Sequence, residues 1–242
     1  MGRTPTLLAN RVEAAAHRAE VAASDVVSPG LRRLVLRSPD FAGATIEPCD
    51  VTAFRVSRHH FRHYTPALVE GDELTIVVQR HDHDGPTPGH DLIEGWRAGD
   101  DVTVCRWSSA RAFTWAASGD APVVLLGDAT VISLAMCMAE RARRDDRTLL
   151  AVLEVAAADL DAAQAFVPDA TVVEAGPEPG RGLDAWLAAN VEALRLLESP
   201  AVYLAGHGQS IQRQRTVLRD VVGLDRRAVR TQPFWATGKA GL

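Results

Sequence analysis

Apolar and polar residues alternate along the first half of the chain, from Glu20 to about Val104. Turn residues interrupt this alternation about every ten positions, as at Ser28-Pro29-Gly30 and Glu70-Gly71-Asp72. A period of two broken by turns is typical of antiparallel strands with one buried face. This half therefore predicts a small antiparallel β barrel. The predicted strands are 31–36, 51–56, 73–79 and 101–105, with a short helix over 92–96.

The pattern changes after Ser118-Gly119-Asp120-Ala121-Pro122, where short and continuously apolar runs alternate with longer segments rich in alanine and arginine. Such alternation predicts α/β units, in which helices cover a parallel sheet. Repeated units in this order predict a doubly wound sheet that binds ligands at the carboxyl ends of its strands. The predicted strands are 123–126, 148–155, 170–173 and 201–205, and the predicted helices are 131–143, 162–166, 183–197 and 211–221.

This change of pattern predicts two domains, 1–118 and 119–242, with a boundary near Thr114 to Pro122. A chain of 242 residues is long enough for each domain to bury a core. The contents of hydrophobic residues, 47%, and charged residues, 24%, are those of an ordinary globular protein and exclude a disordered or fibrous chain.

Charge and hydropathy exclude two classes of partner. The formal net charge of -5 leaves no basic surface for nucleic acid. No apolar run reaches the roughly 18 residues that a membrane helix needs, and the N-terminus lacks the apolar core of a signal peptide. We therefore expect a cytoplasmic protein, monomeric or homodimeric, that acts on a small molecule.

Cysteine and histidine usage predicts no metal centre. The three cysteines are too widely spaced for a disulfide framework or a thiolate cluster, and we expect buried thiols at Cys49, Cys105 and Cys137. A His-x-His spacing on a strand would place two rings on one face, but no further set of ligands follows it. The histidines concerned are His59, His60, His63, His81 and His83.

Two short motifs carry the candidate chemistry. Arg62-His63-Tyr64-Thr65 combines a cation, an aromatic ring and a hydroxyl group, which suits a cofactor with a pyrophosphate and a flat ring system. Gly127-Asp128-Ala129-Thr130 follows an apolar strand and begins a helix, where open parallel sheets bind nucleotides. Together they predict a flavin site and a nicotinamide site. The residues alone leave open a plain strand end at Arg62 and a structural glycine at Gly127.

Further sequence segments that match a known family pattern are spread over nearly the whole chain. They are 26–36 with Ser38-Pro39-Asp40, Gly85-Pro86, Ala98-Gly99-Asp100, Ala205-Gly206 and Phe234-Trp235-Ala236-Thr237-Gly238-Lys239. With the two motifs, their order and spacing resemble the siderophore-interacting protein family, a branch of the flavin-dependent ferric-siderophore reductases in the ferredoxin reductase superfamily. The resemblance implies an N-terminal antiparallel six-stranded FAD-binding barrel, followed by a parallel-sheet nucleotide-binding domain for NAD(P)H.

The same resemblance assigns roles around the flavin. It implies that Arg62 pairs with the pyrophosphate and that Tyr64 lies along the isoalloxazine or ribityl group. Thr65 would hydrogen-bond near the ring nitrogen that accepts hydride, which makes Tyr64 and Thr65 the candidate catalytic residues.

The resemblance also implies a second flavin-binding segment, the loop from Asp84 to Asp91, whose backbone amides would meet the pyrophosphate. Pro88 has no amide to donate, and a plain surface turn is the alternative for this loop. Its candidate binding residues are Gly85, Thr87, Gly89 and His90.

The resemblance implies two loops that receive the nicotinamide nucleotide, and a C-terminal motif on the flavin side. Trp235 would pack back over the flavin side and close the site, and Lys239 would meet an anionic ferric complex. The alternative is an anchored C-terminus with an exposed lysine. The candidate residues in the two loops are Gly127, Asp128, Thr130, Gly206 and His207.

The expected activity is a flavin-dependent oxidoreductase that passes hydride from NAD(P)H to FAD, and then single electrons to chelated ferric iron. The sequence departs from the family at three cofactor contacts, Ala67, Pro88 and Ala129. Two alternatives therefore stay open. One is the same fold used in small-molecule biosynthesis, as a flavin-bound enzyme or a non-redox cyclase. The other is a non-catalytic ligand-binding protein.

Overall fold

The first half of the chain folds into a seven-stranded antiparallel sheet. The computed structural model describes residues 6–80, 88–109, 113–116 and 119–239. The elements of this half are α1 Thr6–Ala14, β1 His17–Ser28, β2 Leu31–Arg37, β3 Asp50–Ser57, β4 His60–Tyr64, β5 Leu68–Glu70, β6 Glu73–Gln79, α2 Pro88–Gly95 and β7 Asp101–Ser109.

The strand order of this sheet is β4-β3-β7-β1-β2-β6-β5, a curled half-barrel. The expected antiparallel fold is confirmed, but the expected number of six strands is wrong. The three-residue strand β5 adds a seventh, because residues 68–70 pair with the start of β6. The period of two also explains the core: Leu34, Leu36 and Ile76 point inward and are fully buried.

The second half forms a five-stranded parallel sheet with helices. Its elements are β8 Val123–Asp128, α3 Ile132–Arg144, β9 Leu149–Val155, α4 Leu160–Phe166, β10 Thr171–Glu174, α5 Arg181–Ala189, α6 Val191–Arg195, β11 Ala201–His207, α7 Gly208–Val217 and β12 Val229–Trp235. The four strands predicted from continuous apolar runs are all present. The strand β12 was not predicted, because its sequence contains Pro233 and only part of it is buried.

The parallel sheet has the order β10-β9-β8-β11-β12, so the chain changes direction across the sheet between β8 and β11. Ligands of open parallel sheets bind at such a switch point, outside the carboxyl ends of the strands. Here these ends are Asp128 on β8 and His207 on β11. The candidate residues of the second motif thus lie at the position that the topology favours for a ligand.

The two sheets contact each other through specific polar groups. The Ser133 hydroxyl on α3 accepts a 2.8 Å hydrogen bond from the amide of Val77 and donates a 3.1 Å bond to its carbonyl. Asp159 accepts hydrogen bonds from the Ser28 hydroxyl, at 2.6 Å, and from the Gly30 amide, at 2.8 Å. Both contacts join strands of the half-barrel to the helical layer of the parallel sheet.

The three cysteines are free and buried, as the sequence predicted. Burial raises the pKa of Cys105 to about 11 and that of Cys137 to about 12. These thiols therefore stay protonated near neutral pH. None of the helices in the described ranges is both long enough and apolar enough to cross a membrane.

Candidate functional site

The first motif lies on β4, at one edge of the half-barrel. This strand pairs with β3 so that Arg62 faces Phe54 and Tyr64 faces Thr52. The Tyr64 ring packs against Phe54 with ring centroids 5.6 Å apart, and Phe54 in turn contacts Trp96 after α2 at 4.9 Å. These aromatic contacts fix the orientation of Tyr64 while Arg62 stays only partly buried.

The first turn of α2 lies directly on Arg62 and Tyr64. A Cβ atom at Gly89 would lie 2.7 Å from Cγ of Arg62 and 2.9 Å from the hydroxyl of Tyr64. Both distances are shorter than a van der Waals contact, so only glycine permits this approach. Three candidate flavin-binding residues, separated by up to 27 positions in the sequence, are thus brought together.

Tyr64 is held as a neutral phenol. Burial raises the pKa of Tyr64 to about 12, although the nearby Arg62 cation opposes the increase. At neutral pH the hydroxyl is therefore a hydrogen-bond donor next to a cation. A cation, a phenol and the first turn of a helix at one place suit a phosphate-bearing ligand with a flat ring.

The structure describes only some of the other candidate flavin-binding residues. Thr65 is buried directly after β4, and His90 is half-buried in α2. Gly85 and Thr87 lie outside the described residues, and so do His81 and His83. Ala67, one of the three departures from the family pattern, is fully buried.

The second motif centres on the carboxylate of Asp128. This side chain accepts hydrogen bonds from the amide of Thr130 at 3.0 Å, from the amide of His207 at 2.8 Å and from the indole of Trp235 at 2.8 Å. The Thr130 hydroxyl donates a further bond to it. Burial raises the pKa of Asp128, and these donors oppose the increase. The carboxylate thus joins the ends of β8, β11 and β12.

Two glycines near Asp128 cannot be replaced by a larger residue without a steric clash. Gly206 has a φ of +103°, and a Cβ there would lie 2.5 Å from the Asp128 carboxylate. Gly127 has no room for a Cβ because Val131 would lie 2.6 Å from it. Packing alone explains both glycines, which agrees with the structural alternative for Gly127 left open by the sequence.

The His207 ring has a defined tautomer. Its Nε2 accepts a hydrogen bond from the amide of Thr237 at 3.3 Å, so the ring proton is on Nδ1, which donates to Ser210 at 2.6 Å. The Ser210 hydroxyl then donates to the carbonyl of Pro179 at 2.7 Å. Burial lowers the pKa of His207, the Asp128 carboxylate raises it and Arg213 lowers it further. The neutral ring is thus the form that this network holds.

Trp235 has contacts other than those implied by the resemblance. Its indole lies against His207, with ring centroids 4.4 Å apart, and bonds to Asp128. The reason is the register of the sheet: a bulge between Gly206 and His207 pairs His207 with Trp235 on parallel β12. The described contacts of Trp235 therefore lie at the nicotinamide set and not at Arg62 and Tyr64. Lys239 is exposed beyond it.

The cavity found at the switch point is small. A cavity of about 10 Å³ lies between Asp128, His207, Gly180 and Ser210. This volume barely accommodates one water molecule and is far too small for a nicotinamide ring. A groove of about 820 Å³ lies elsewhere, between β5 and the C-terminal half of α3, and its lining includes none of the site residues predicted above.

The sequence analysis did not predict a cluster of charged side chains that contacts α2. Arg32, buried on β2, and Arg80, which follows β6, both pair with Glu94 of α2. The sequence did contain an indication that Arg32 is buried. In a strand with a period of two, Arg32 lies on the same inward face as Leu34 and Leu36. Across the described ranges, no group of three or more histidine, cysteine, aspartate or glutamate side chains is arranged to hold a metal ion.

A curled antiparallel half-barrel followed by a parallel five-stranded sheet is the ferredoxin reductase-like fold. Residues 120–238 match the family model described as siderophore-interacting protein. The resemblance inferred from the sequence is thereby confirmed. No curated protein sequence matches the chain.

Solved structures show the same fold over nearly the full length. The siderophore-interacting protein from Acinetobacter baumannii covers 92% of this chain and 91% of its own, with 14% identity and a TM-score of 0.72. The siderophore utilization protein from T. fusca covers 94% and 95%, with 22% identity and a TM-score of 0.65. Phthalate dioxygenase reductase covers 94% of this chain and 70% of its own, with 18% identity and a TM-score of 0.71.

Proposed function

We propose that this protein is a flavin-dependent oxidoreductase that takes electrons from NAD(P)H and passes them to ferric iron held by a siderophore. The observation that carries the proposal is the close approach of α2 to Arg62 and Tyr64, which Gly89 alone permits. It supports a site for a flavin with a pyrophosphate at the edge of the half-barrel. The match of residues 120–238 to the siderophore-interacting protein family model supports the choice of final acceptor.

The chain's own residues supply binding and orientation. Arg62 offers several donors to phosphate oxygens and stays charged, and Tyr64 offers a neutral hydroxyl and a ring face. When bound, a flavin accepts two electrons from a nicotinamide and releases them one at a time. Reduction would free the iron because hard oxygen ligands hold ferric iron more tightly than ferrous iron. The carboxyl ends of β8 and β11 are the proposed nicotinamide position.

The absorbance spectrum of the purified protein tests this function. We expect a yellow protein that is bleached by NADH or NADPH without oxygen and reoxidised by a ferric chelate. A protein that binds no flavin, even after incubation with FAD, would contradict the proposal. Arg62→Ala should strip the flavin with little loss of stability, whereas Arg33→Ala, which removes an exposed arginine paired with Asp25, should retain it.

One observation favours a second candidate function. At the switch point the chain bonds to itself, because the amide of His207 and the indole of Trp235 both donate to Asp128. The same fold with this crevice permanently closed would be a flavin-bound enzyme of small-molecule biosynthesis that accepts no hydride from NAD(P)H. A yellow protein that neither NADH nor NADPH bleaches would support this candidate over the reductase.

A further inference from the structure

Glu94, on the second half of α2, lies between two guanidinium groups. Its Oε2 is 2.8 Å from Nη2 of Arg32, and its Oε1 is 2.8 Å from Nε of Arg80. Two longer bonds, of 3.3 Å to Arg32 and 3.5 Å to Arg80, complete a paired geometry with each arginine. One carboxylate thus connects α2 to β2 and to the residue that follows β6.

Arg32 makes this connection strong. Its side chain is only 7% exposed, and its other terminal nitrogen donates a 2.7 Å bond to the Ser24 hydroxyl. A guanidinium this deeply buried is costly without a partner, so Glu94 is held close to it. Burial opposes ionisation of Glu94, but the hydrogen bonds from Arg80 and Arg32 prevail and lower its pKa.

The position of Glu94 relates this cluster to the candidate flavin site. Five residues earlier on the same helix, Gly89 lies against Arg62 and Tyr64. Arg80 comes directly before residues 81–87 in the sequence, and α2 begins directly after them at Pro88. Glu94 therefore holds α2 to Arg80, while the first turn of the same helix lies against Arg62.

We propose that Glu94 is a positioning residue for the pyrophosphate end of the flavin site. By pairing with Arg32 and Arg80, it fixes the distance from α2 to the end of β6, and so the approach of the helix to Arg62. Two arginines and one glutamate leave one net positive charge, which suits a phosphate-bearing ligand. This inference rests on the proposed function, because it requires that a flavin dinucleotide binds here.

Comparing FAD with riboflavin tests the role of Glu94, because riboflavin has the same ring system but no phosphate. In Glu94→Gln we expect the Kd for FAD to rise about tenfold, while the Kd for riboflavin changes by less than about threefold. A merely structural role would weaken both ligands equally. The measurement is titration of flavin fluorescence, with visible circular dichroism of the bound FAD as a signature of its orientation.

Two further variants make the test robust. Arg80→Gln removes the same connection at a half-exposed residue and should give the same selective loss for FAD, even if Glu94→Gln folds poorly. Glu73→Gln is the matched control, since it removes an exposed ion pair with Arg37 in the same sheet and should leave both affinities unchanged.

Three outcomes would overturn the role of Glu94. They are equal losses for the two ligands, no loss for either, and tighter FAD binding in Glu94→Gln. The last would show that Glu94 competes with phosphate for the arginines. If the wild-type protein binds neither FAD nor riboflavin, the proposed function itself fails and this inference fails with it.

Discussion

The indole Nε1 of Trp235 donates a 2.8 Å hydrogen bond to the carboxylate of Asp128, which lies 107 residues earlier in the chain. Through this bond the C-terminal strand covers the crevice between β8 and β11. Gln209 adds to the closure by donating a 3.1 Å bond to the carbonyl of Thr237. If a nicotinamide nucleotide binds at this crevice, as proposed above, we expect this segment to move away first.

The first prediction therefore concerns Trp235→Phe, which removes the indole donor. Loss of a hydrogen bond to a charged group should lower the free energy of unfolding by about 1–3 kcal/mol. The closed form should become less favoured, so the Kd for the nicotinamide nucleotide should fall by up to about tenfold. Equilibrium binding of NADH and NADPH, with flavin content measured in parallel, checks this result.

Trp115→Phe is the matched control for that variant. It also removes an indole-to-carboxylate bond, 2.9 Å long and made to Asp145, but away from the crevice. It should lower stability without changing nucleotide affinity. Weaker nucleotide binding in Trp235→Phe would contradict the covering role, because it would mean that the indole contacts the bound nucleotide.

The sequence predicted the existence of the crevice but not its closure. Continuous apolar runs at β8 and β11 indicate a buried parallel sheet, and its topology then specifies the switch point. Two partners of Asp128, His207 and Trp235, are 79 and 107 residues away, and no local pattern connects them to it. The strand β12 escaped prediction for a related reason: an edge strand that contains Pro233 has neither alternation nor a continuous apolar run.

In the half-barrel, too, local sequence patterns predict some strands, whereas contacts between distant residues are not predicted. Alternation predicted β2, β3, β6 and β7 because one face of each strand is buried. It did not predict β4, whose sequence His-Phe-Arg-His-Tyr is mostly polar and lies at the sheet edge. The contact of Gly89 with Arg62 and Tyr64 depends on how α2 packs across the sheet, which a one-dimensional pattern does not contain.

The second prediction is that Gly89→Ala weakens flavin binding. The added Cβ would lie 2.7 Å from the Arg62 side chain, so the helix or the arginine must shift. We expect the Kd for FAD to rise about tenfold or more, which corresponds to about 1.4 kcal/mol or more. Gly95→Ala is the control on the same helix, because nothing lies within 4 Å of a Cβ there. An equal effect of both substitutions would point to helix stability instead of the site.

The third prediction is a loss of stability at acidic pH caused by His207. Its pKa in the folded protein is lowered by burial, so the unfolded chain, with a pKa of about 6.5, binds the proton more readily. The stabilising contribution is therefore complete above that value and decreases as the pH falls through the folded pKa. Urea unfolding at pH 7.5 and 5.5 should show a smaller decrease for His207→Gln than for the wild type. Equal decreases would contradict the assignment.

The fourth prediction concerns the contact between the two sheets at Asp159. This buried carboxylate accepts bonds from the Ser28 hydroxyl and the Gly30 amide, and a Cβ at Gly30 would lie 2.1 Å from its Oδ2. Gly30→Ala must displace the Asp159 side chain and break both bonds. We expect Gly30→Ala and Asp159→Ala each to lower the free energy of unfolding by about 1–3 kcal/mol.

A double-mutant cycle separates this contact from unrelated effects on stability. Because both substitutions break the same bonds, the double variant should lose less than the sum of the single losses, with a coupling energy of about 0.5–3 kcal/mol. Ser28→Ala removes one of the two bonds and leaves the Gly30 amide paired, so its loss should be smaller than that of Asp159→Ala. Strictly additive losses in urea unfolding would show that Gly30 and Asp159 act independently. In that case the β1–β2 turn would not be held to the helical layer through this carboxylate.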